Sequence, residues 1–198
     1  MTHLIRGTVN WLNDHLWDFK LGIRTGGVHP SGAPSRFKEC WPTEYRVLNK
    51  VFHDLDIQDN DILVDYGCGQ GRVICFASQF PCKRIYGIEI SQAWAEMAQA
   101  NVRKMRLSNV EVLNMNAIDF ACSDCTVFYL FNPFGEETLS HIIQNILETL
   151  KNNDRHIKIV YYNAQCNHVL EREKWIKMTR SLYVDRKGNP AVLLYENI

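Results

Sequence analysis

Residues 61 to 71, Asp-Ile-Leu-Val-Asp-Tyr-Gly-Cys-Gly-Gln-Gly, run an apolar stretch straight into three glycines at alternate positions. A strand that ends this way must turn sharply into the next element. Without a Cβ, Gly67, Gly69 and Gly71 reach backbone angles closed to other residues and leave room for a ligand against the main chain. Asp65 stands two places before the first glycine, and a second acid, Glu89, closes the next apolar run, Arg84 to Glu89. An acid at the end of the second strand of a βαβ unit is placed to accept hydrogen bonds from ribose hydroxyls. Alone, the glycine turn also reads as a tight strand-to-helix connection. Together with Glu89 it points to a nucleoside-like ligand.

The rest of the chain is ordered around this turn. Leu4, Ile5, Val9, Leu12, Leu16 and Phe19 recur at helical spacing and predict an N-terminal helix. Gly22 to Pro34 is rich in turn formers, has no periodicity and reads as a loop. Pro42-Thr43-Glu44 then opens a helix with Tyr45, Leu48, Val51, Phe52 and Leu55 on one face. From Asp61 the pattern alternates: strand 61–66, helix 71–80, strand 83–89, helix 91–107, strand 109–115, strand 125–131, helix 136–150 and strand 156–162. That alternation is the sequence form of a parallel sheet with helices on both faces. The apolar run Thr126 to Phe131 suits a central strand buried on both sides. Trp175 to Val184 and Val192 to Tyr195, joined through a Gly-containing turn, predict an antiparallel hairpin.

Composition narrows the class. A chain of 198 residues with 46% hydrophobic residues makes one domain around one core. Lys plus Arg equals Asp plus Glu at 22 each, so the whole-chain field gives no pull toward nucleic acid or an anionic membrane. No basic run supplies phosphate contacts either, and a nucleic-acid partner is not favoured. Seven scattered cysteines and no signal peptide predict reduced thiols and a cytoplasmic protein. Cys122-Ser-Asp-Cys125 is the only C-x-x-C. It lacks a second ligand pair at zinc spacing, so no metal is expected. No apolar run reaches the roughly 20 residues that cross a bilayer, so no membrane partner is expected.

The spacing Asp65-x-Gly67-x-Gly69-x-Gly71 departs from the dinucleotide fingerprint G-x-G-x-x-G. It resembles motif I of the class I S-adenosylmethionine (SAM) dependent methyltransferases. Pro42-Thr43-x-Tyr45 and Gly71-Arg72 place the resemblance nearest to small members of the protein-lysine methyltransferase-like branch, over roughly residues 43 to 198. The resemblance implies an α/β domain with a seven-stranded, Rossmann-like, mostly parallel sheet ending in a C-terminal antiparallel hairpin. It implies a single domain spanning 1–198, with residues 1–42 as a helix and loop forming a lid and 43–198 as the catalytic core. It also implies SAM as the cofactor and, as the activity, methyl transfer to an amine such as a protein lysine. The alternatives are O- or N-methylation of a small molecule, and a non-catalytic SAM-binding module. The sequence leaves the oligomeric state open.

The same resemblance assigns roles residue by residue. The glycine turn with Asp65 packs against the amino-acid end of SAM, and Glu89 holds the ribose. Asn116 and Ala117 stand where the family has an acid and a small residue that pin the adenine. The Asn116 side-chain oxygen still accepts a hydrogen bond, and the Ala117 N–H still donates one. Asn116 also reads as a turn cap, and Asp119 as a shifted acid. Asn132-Pro133-Phe134 resembles the Asn-Pro-Pro-aromatic motif of amine-methylating members, with one proline missing. There the Asn132 oxygen and Pro133 carbonyl accept the N–H bonds of the amine, beside the cofactor, while the Phe134 face favours the developing cation. The segment also reads as a strand-ending turn. Trp41 and Tyr45 offer aromatic walls and Thr43 a hydroxyl near the methionine end, although Thr43 reads equally as a helix cap and Tyr45 as core. Arg72 reads as the motif's Gly-Arg or as a solvated first-turn charge. His29 is the histidine to watch as a base, and His141 and His156 read as surface residues.

Overall fold

The structure, a computed structural model, describes residues 2–26, 42–131, 134–184 and 190–198. Helices α1 (Thr2–Leu21) and α2 (Tyr45–Asp54) precede the alternation β1 (Ile62–Tyr66), α3 (Arg72–Ala77), β2 (Arg84–Glu89), α4 (Gln92–Lys104) and β3 (Val110–Asn114). Then come β4 (Val127–Phe131), α5 (Glu136–Asn152), β5 (Lys158–Tyr162), the short α6 (His168–Glu171), β6 (Ile176–Val184) and β7 (Pro190–Asn197). The strands form one sheet in the order β3-β2-β1-β4-β5-β7-β6. The first five in that order pair in parallel, and β7 runs antiparallel to both β5 and β6. This is the mostly parallel sheet with a terminal hairpin that the sequence predicts. Strand order reverses between β1 and β4, and open α/β sheets hold their ligands outside the carboxyl ends of such strands.

Successive side chains of a strand point to opposite faces, so each central strand feeds two cores. Leu63, Val127 and Tyr129 join Leu48, Phe52, Ile74 and Phe76 on the side of α2 and α3. Val64, Tyr66, Phe128 and Leu130 join Leu139, Ile142, Ile143 and Leu170 on the side of α5 and α6. The same parity puts Asp65 on the face of Leu63, toward α2. This explains how an acid can sit in an otherwise apolar strand: it is the penultimate residue of β1, next to the carboxyl end on the ligand side.

The N-terminal helix is present, but the described part of its apolar stripe faces outward. Leu16 is 67% exposed and Phe19 86%, with Trp11 and Leu12 also exposed. The opposite face, Asp14, Trp17, Asp18 and Leu21, meets the domain. Helical periodicity identifies a face; it does not say which way that face turns. The 3₁₀ turn Ala117–Asp119 and α6 are too short to carry a period in the sequence. The reduced-thiol expectation is corrected at one pair: Cys122 and Cys125 are joined in a disulfide, whereas Cys75, Cys82 and Cys166 are thiols. Among the described residues no helix is long and apolar enough to cross a membrane.

Candidate active site

The turn after β1 is folded onto the end of β2. The amides of Gly67 and Cys68 both donate to the Ile88 carbonyl, at 2.8 and 3.0 Å, and Gly71 N–H closes back on the Cys68 carbonyl at 2.8 Å. Gly67, Gly69 and Gly71 have φ of +80, +53 and +86°, in the left-handed region that glycine reaches without strain. At Gly71 a Cβ would also come within 3.1 Å of the Ala98 Cβ on α4, so glycine is required there twice over.

The two acids have different surroundings. Asp65 is 2% exposed, and its Oδ2 has no hydrogen-bond partner among the described residues. Burial pushes its carboxyl well above the usual range, and the nearby Glu89 charge adds to the rise. Glu89 is also buried, and burial raises it too, but backbone amides offset part of the cost. Its Oε2 accepts from Gly69 N–H at 2.9 Å and its Oε1 from Ser91 N–H at 2.8 Å. Each carboxylate oxygen carries two lone pairs. Glu89 thus braces the glycine turn and keeps acceptor capacity for a sugar hydroxyl.

A narrow cleft with about 30 Å³ of water-sized space lies against this turn, with Thr25, Thr43, Asp65, Gln70, Arg72 and Phe131 in its wall. Gln70 Oε1 is a second buried acceptor without a partner among the described residues. Thr25, Gln70 and Phe131 were not picked out from the sequence. Arg72 is 4% exposed, which corrects its reading as a solvated charge. It donates to Asp14, to Thr25 and to the Thr43 carbonyl.

The remaining expected residues fall as follows. Tyr45 is fully buried behind Arg72, its hydroxyl donating to Asp18 at 2.7 Å and its ring stacked on Trp17, so it is a core residue rather than an exposed aromatic wall. Burial and the Asp18 carboxylate raise its pKa. Thr43 does not cap α2; its hydroxyl meets the Tyr129 hydroxyl at 3.1 Å, and the first amide of α2 donates to Asp14 of α1 instead. Asn116 caps the 3₁₀ turn through Ile118 N–H, Ala117 is buried beneath it, and Asp119 is exposed. Asn114, one strand over, ties β3 to the Glu89 and Ile90 carbonyls. Phe134 packs edge-on against Tyr66 at 6.5 Å, leaving Phe131 as the aromatic on the cleft wall. Asn132, Pro133, Trp41 and His29 lie outside the described residues. His141 is exposed, and His156 pairs with Glu196 at the surface.

These groups fit SAM. A buried carboxylate oxygen without a donor suits a cationic ligand, and a braced carboxylate at the end of β2 suits a ribose. The fold agrees. An RNA methyltransferase from Salinibacter ruber in complex with S-adenosyl-L-homocysteine superposes with a TM-score of 0.58 at 20% identity, covering 79% of this chain and 92% of that one. The putative methyltransferase yhhF from Escherichia coli does so with a TM-score of 0.62 at 19% identity, covering 83% and 89%. Sheet and cleft together are those of a class I SAM-dependent methyltransferase. The model of the histone methylation protein DOT1 family matches residues 41–181, and the chain belongs to that family.

Relatives differ in what they are named for. A protein-lysine N-methyltransferase from Saccharolobus islandicus is 28% identical over 112 residues, 56% of this chain and 63% of that protein. An uncharacterized RNA methyltransferase from Clostridium tetani is 30% identical over 101 residues, 50% of this chain and 20% of that protein. A histone-lysine N-methyltransferase, H3 lysine-79 specific, from Caenorhabditis elegans is 27% identical over 124 residues, 54% of this chain and 13% of that protein. The matched stretch thus spans between about an eighth and just under two thirds of the length of these relatives.

Proposed function

We propose that this chain transfers a methyl group from SAM to an amine, most simply the side chain of a lysine in a protein. The observation that carries the amine reading is the place of Phe131: the last residue of β4 lines the cleft, and Asn132-Pro133-Phe134 follows it directly. SAM supplies a methyl group already activated on a sulfonium, with a neutral thioether as leaving group. No residue of the chain needs to become a covalent nucleophile. Asp65 and the glycine turn hold the cationic amino-acid end, Glu89 the ribose, and Asn116 with Ala117 the adenine edge. The amine gives its proton to water before it attacks. The Asn132 side-chain oxygen and the Pro133 carbonyl then accept its remaining N–H bonds and aim its lone pair, while the aromatic rings exclude water and favour the cation that forms. Rate acceleration rests on proximity and alignment.

A nucleic-acid acceptor is the second reading. The charge balance argues against it, but relatives named as RNA methyltransferases keep it open. One experiment separates the two. The purified protein is incubated with a cell lysate and SAM labelled in the methyl group, and the products are treated with protease or with ribonuclease. Label in protease-sensitive material, recovered as methyl-lysine after hydrolysis, is the expected result. Label confined to ribonuclease-sensitive or small-molecule fractions overturns the lysine assignment.

A further inference from the structure

Arg72, the first residue of α3, follows the last glycine of the turn, yet its guanidinium is committed to chain that precedes the sheet. Its Nε donates to Thr25 Oγ1 at 2.7 Å. Its Nη1 donates to Asp14 Oδ2 at 2.6 Å and to the Thr43 carbonyl at 3.1 Å. Its Nη2 is 3.9 Å from Asp18 Oδ1, and the guanidinium carbon lies 4.7 Å from the Tyr45 ring centre. The partners are themselves joined. Asp18 accepts from the Thr25 amide at 2.8 Å, the Thr25 hydroxyl at 2.6 Å and the Tyr45 hydroxyl at 2.7 Å. Asp14 Oδ1 accepts the Tyr45 amide at 3.1 Å. One side chain thus ties α1, the segment after it, the entry to α2 and the glycine turn into a single buried polar cluster.

Only arginine suits this position. The planar fork offers five N–H donors in fixed directions and cannot lose its charge, whereas lysine offers one point charge. The cluster is also costly to open. If α1 lifted, a buried guanidinium would lose its carboxylate partners, and leaving one member of such a pair uncompensated is strongly unfavourable. Because Leu12, Leu16 and Phe19 face outward, contact with the domain rests, among the described side chains of α1, on Trp17, Leu21 and these polar bonds. Thr25, Thr43 and Arg72 are at the same time walls of the cleft. Undocking α1 therefore removes part of the cofactor seat.

We infer that Arg72 is a positioning residue that makes α1 docking and SAM binding a single linked equilibrium, so that α1 is a fixed support behind the cleft wall and not a freely opening lid. The inference rests on the SAM reading of the cleft. A ligand that binds only the docked form must stabilise docking by the same factor by which docking strengthens its binding.

The test combines hydrogen exchange of α1 with calorimetric SAM titration, on the wild type and on Arg72→Met, Arg72→Lys, Asp14→Ala and the double variant Asp14→Ala/Arg72→Met. In the wild type SAM should slow amide exchange over residues 11–21 by about tenfold or more. Arg72→Met should weaken SAM by about tenfold and abolish that protection, with Arg72→Lys in between. Asp14 is not among the residues lining the cleft. Asp14→Ala should nonetheless weaken SAM severalfold, and the double variant should be no worse than Arg72→Met, because contacting residues in one network do not add. If Arg72→Met does not fold, Asp14→Ala decides. A wild type that binds SAM with α1 exchange unchanged, or a folded Asp14→Ala with wild-type affinity, overturns the inference alone. A wild type that binds no SAM overturns the cofactor reading and this inference with it.

Discussion

At the scale of single residues, Asp65 and Glu89 carry the clearest consequences. Both carboxyls are held above their usual range, so the ligand-free fold keeps their protons to higher pH than the unfolded chain does. Their contribution to stability is complete in acid and is withdrawn as pH rises through the raised values. Asp65→Asn removes the charge but keeps the shape. Its melting temperature in the absence of SAM should therefore climb above that of the wild type as pH rises from about 4 to about 8, while its SAM affinity falls by about 1 to 3 kcal/mol. A constant difference across that range, measured by differential scanning calorimetry, would contradict the assignment of the buried charge. Glu89→Ala should act differently, because it strips the acceptor from the Gly69 and Ser91 amides as well as from the ribose. Both melting temperature and SAM affinity should drop, the affinity by about 1.5 to 3 kcal/mol. Asn132→Ala, under the proposed amine chemistry, should leave SAM binding nearly intact and lower kcat by one or more powers of ten. Equal losses of cofactor affinity at Asn132 and Glu89 would remove the support for that chemistry.

At the scale of elements, close approach decides what is tolerated. A Cβ at Gly87 on β2 would stand 2.9 Å from both Cys68 Sγ and Ile74 Cδ1, the first in the glycine turn and the second on α3. Gly87→Ala should force those groups away from the sheet. We expect a loss of about 1 to 3 kcal/mol in chemical denaturation and a weaker SAM isotherm, since the same shift moves the turn. Gly87 shows how far the sequence was legible. Its strand was plain from the apolar run, but the demand for glycine inside that strand comes from two neighbours that only the fold brings near. Strands β1 to β5 and the hairpin were readable because each is a short apolar run between turn formers. The motif acids and glycines were readable because their roles depend on local spacing. Arg72, Thr25 and Gln70 were not, because their surroundings are assembled from distant segments. A signal for Arg72 did exist: Asp14 and Asp18, four apart on the helix face opposite the apolar stripe, repel each other unless a cation meets them.

At the scale of the whole molecule, the last strand is not the last layer. β7 pairs with β5 on one side and β6 on the other, so β6 reaches the sheet only through residues that follow it in the chain. Ending the chain at Val184 would remove an interior strand and leave β6 without its partner. Such a truncation should lose the cooperative melt seen by circular dichroism, whereas a truncation trimming an edge strand would only lower it; a sharp transition in the shortened protein would contradict this. The order of strands also bears on how the chain is made. A ribosome delivers β1 to β5 and their helices first, and these can pair in parallel as they emerge. Until Val192 to Tyr195 have cleared the exit tunnel, β5 waits with one side unpaired, exposed to other chains, and the domain closes only when its final residues have been synthesised.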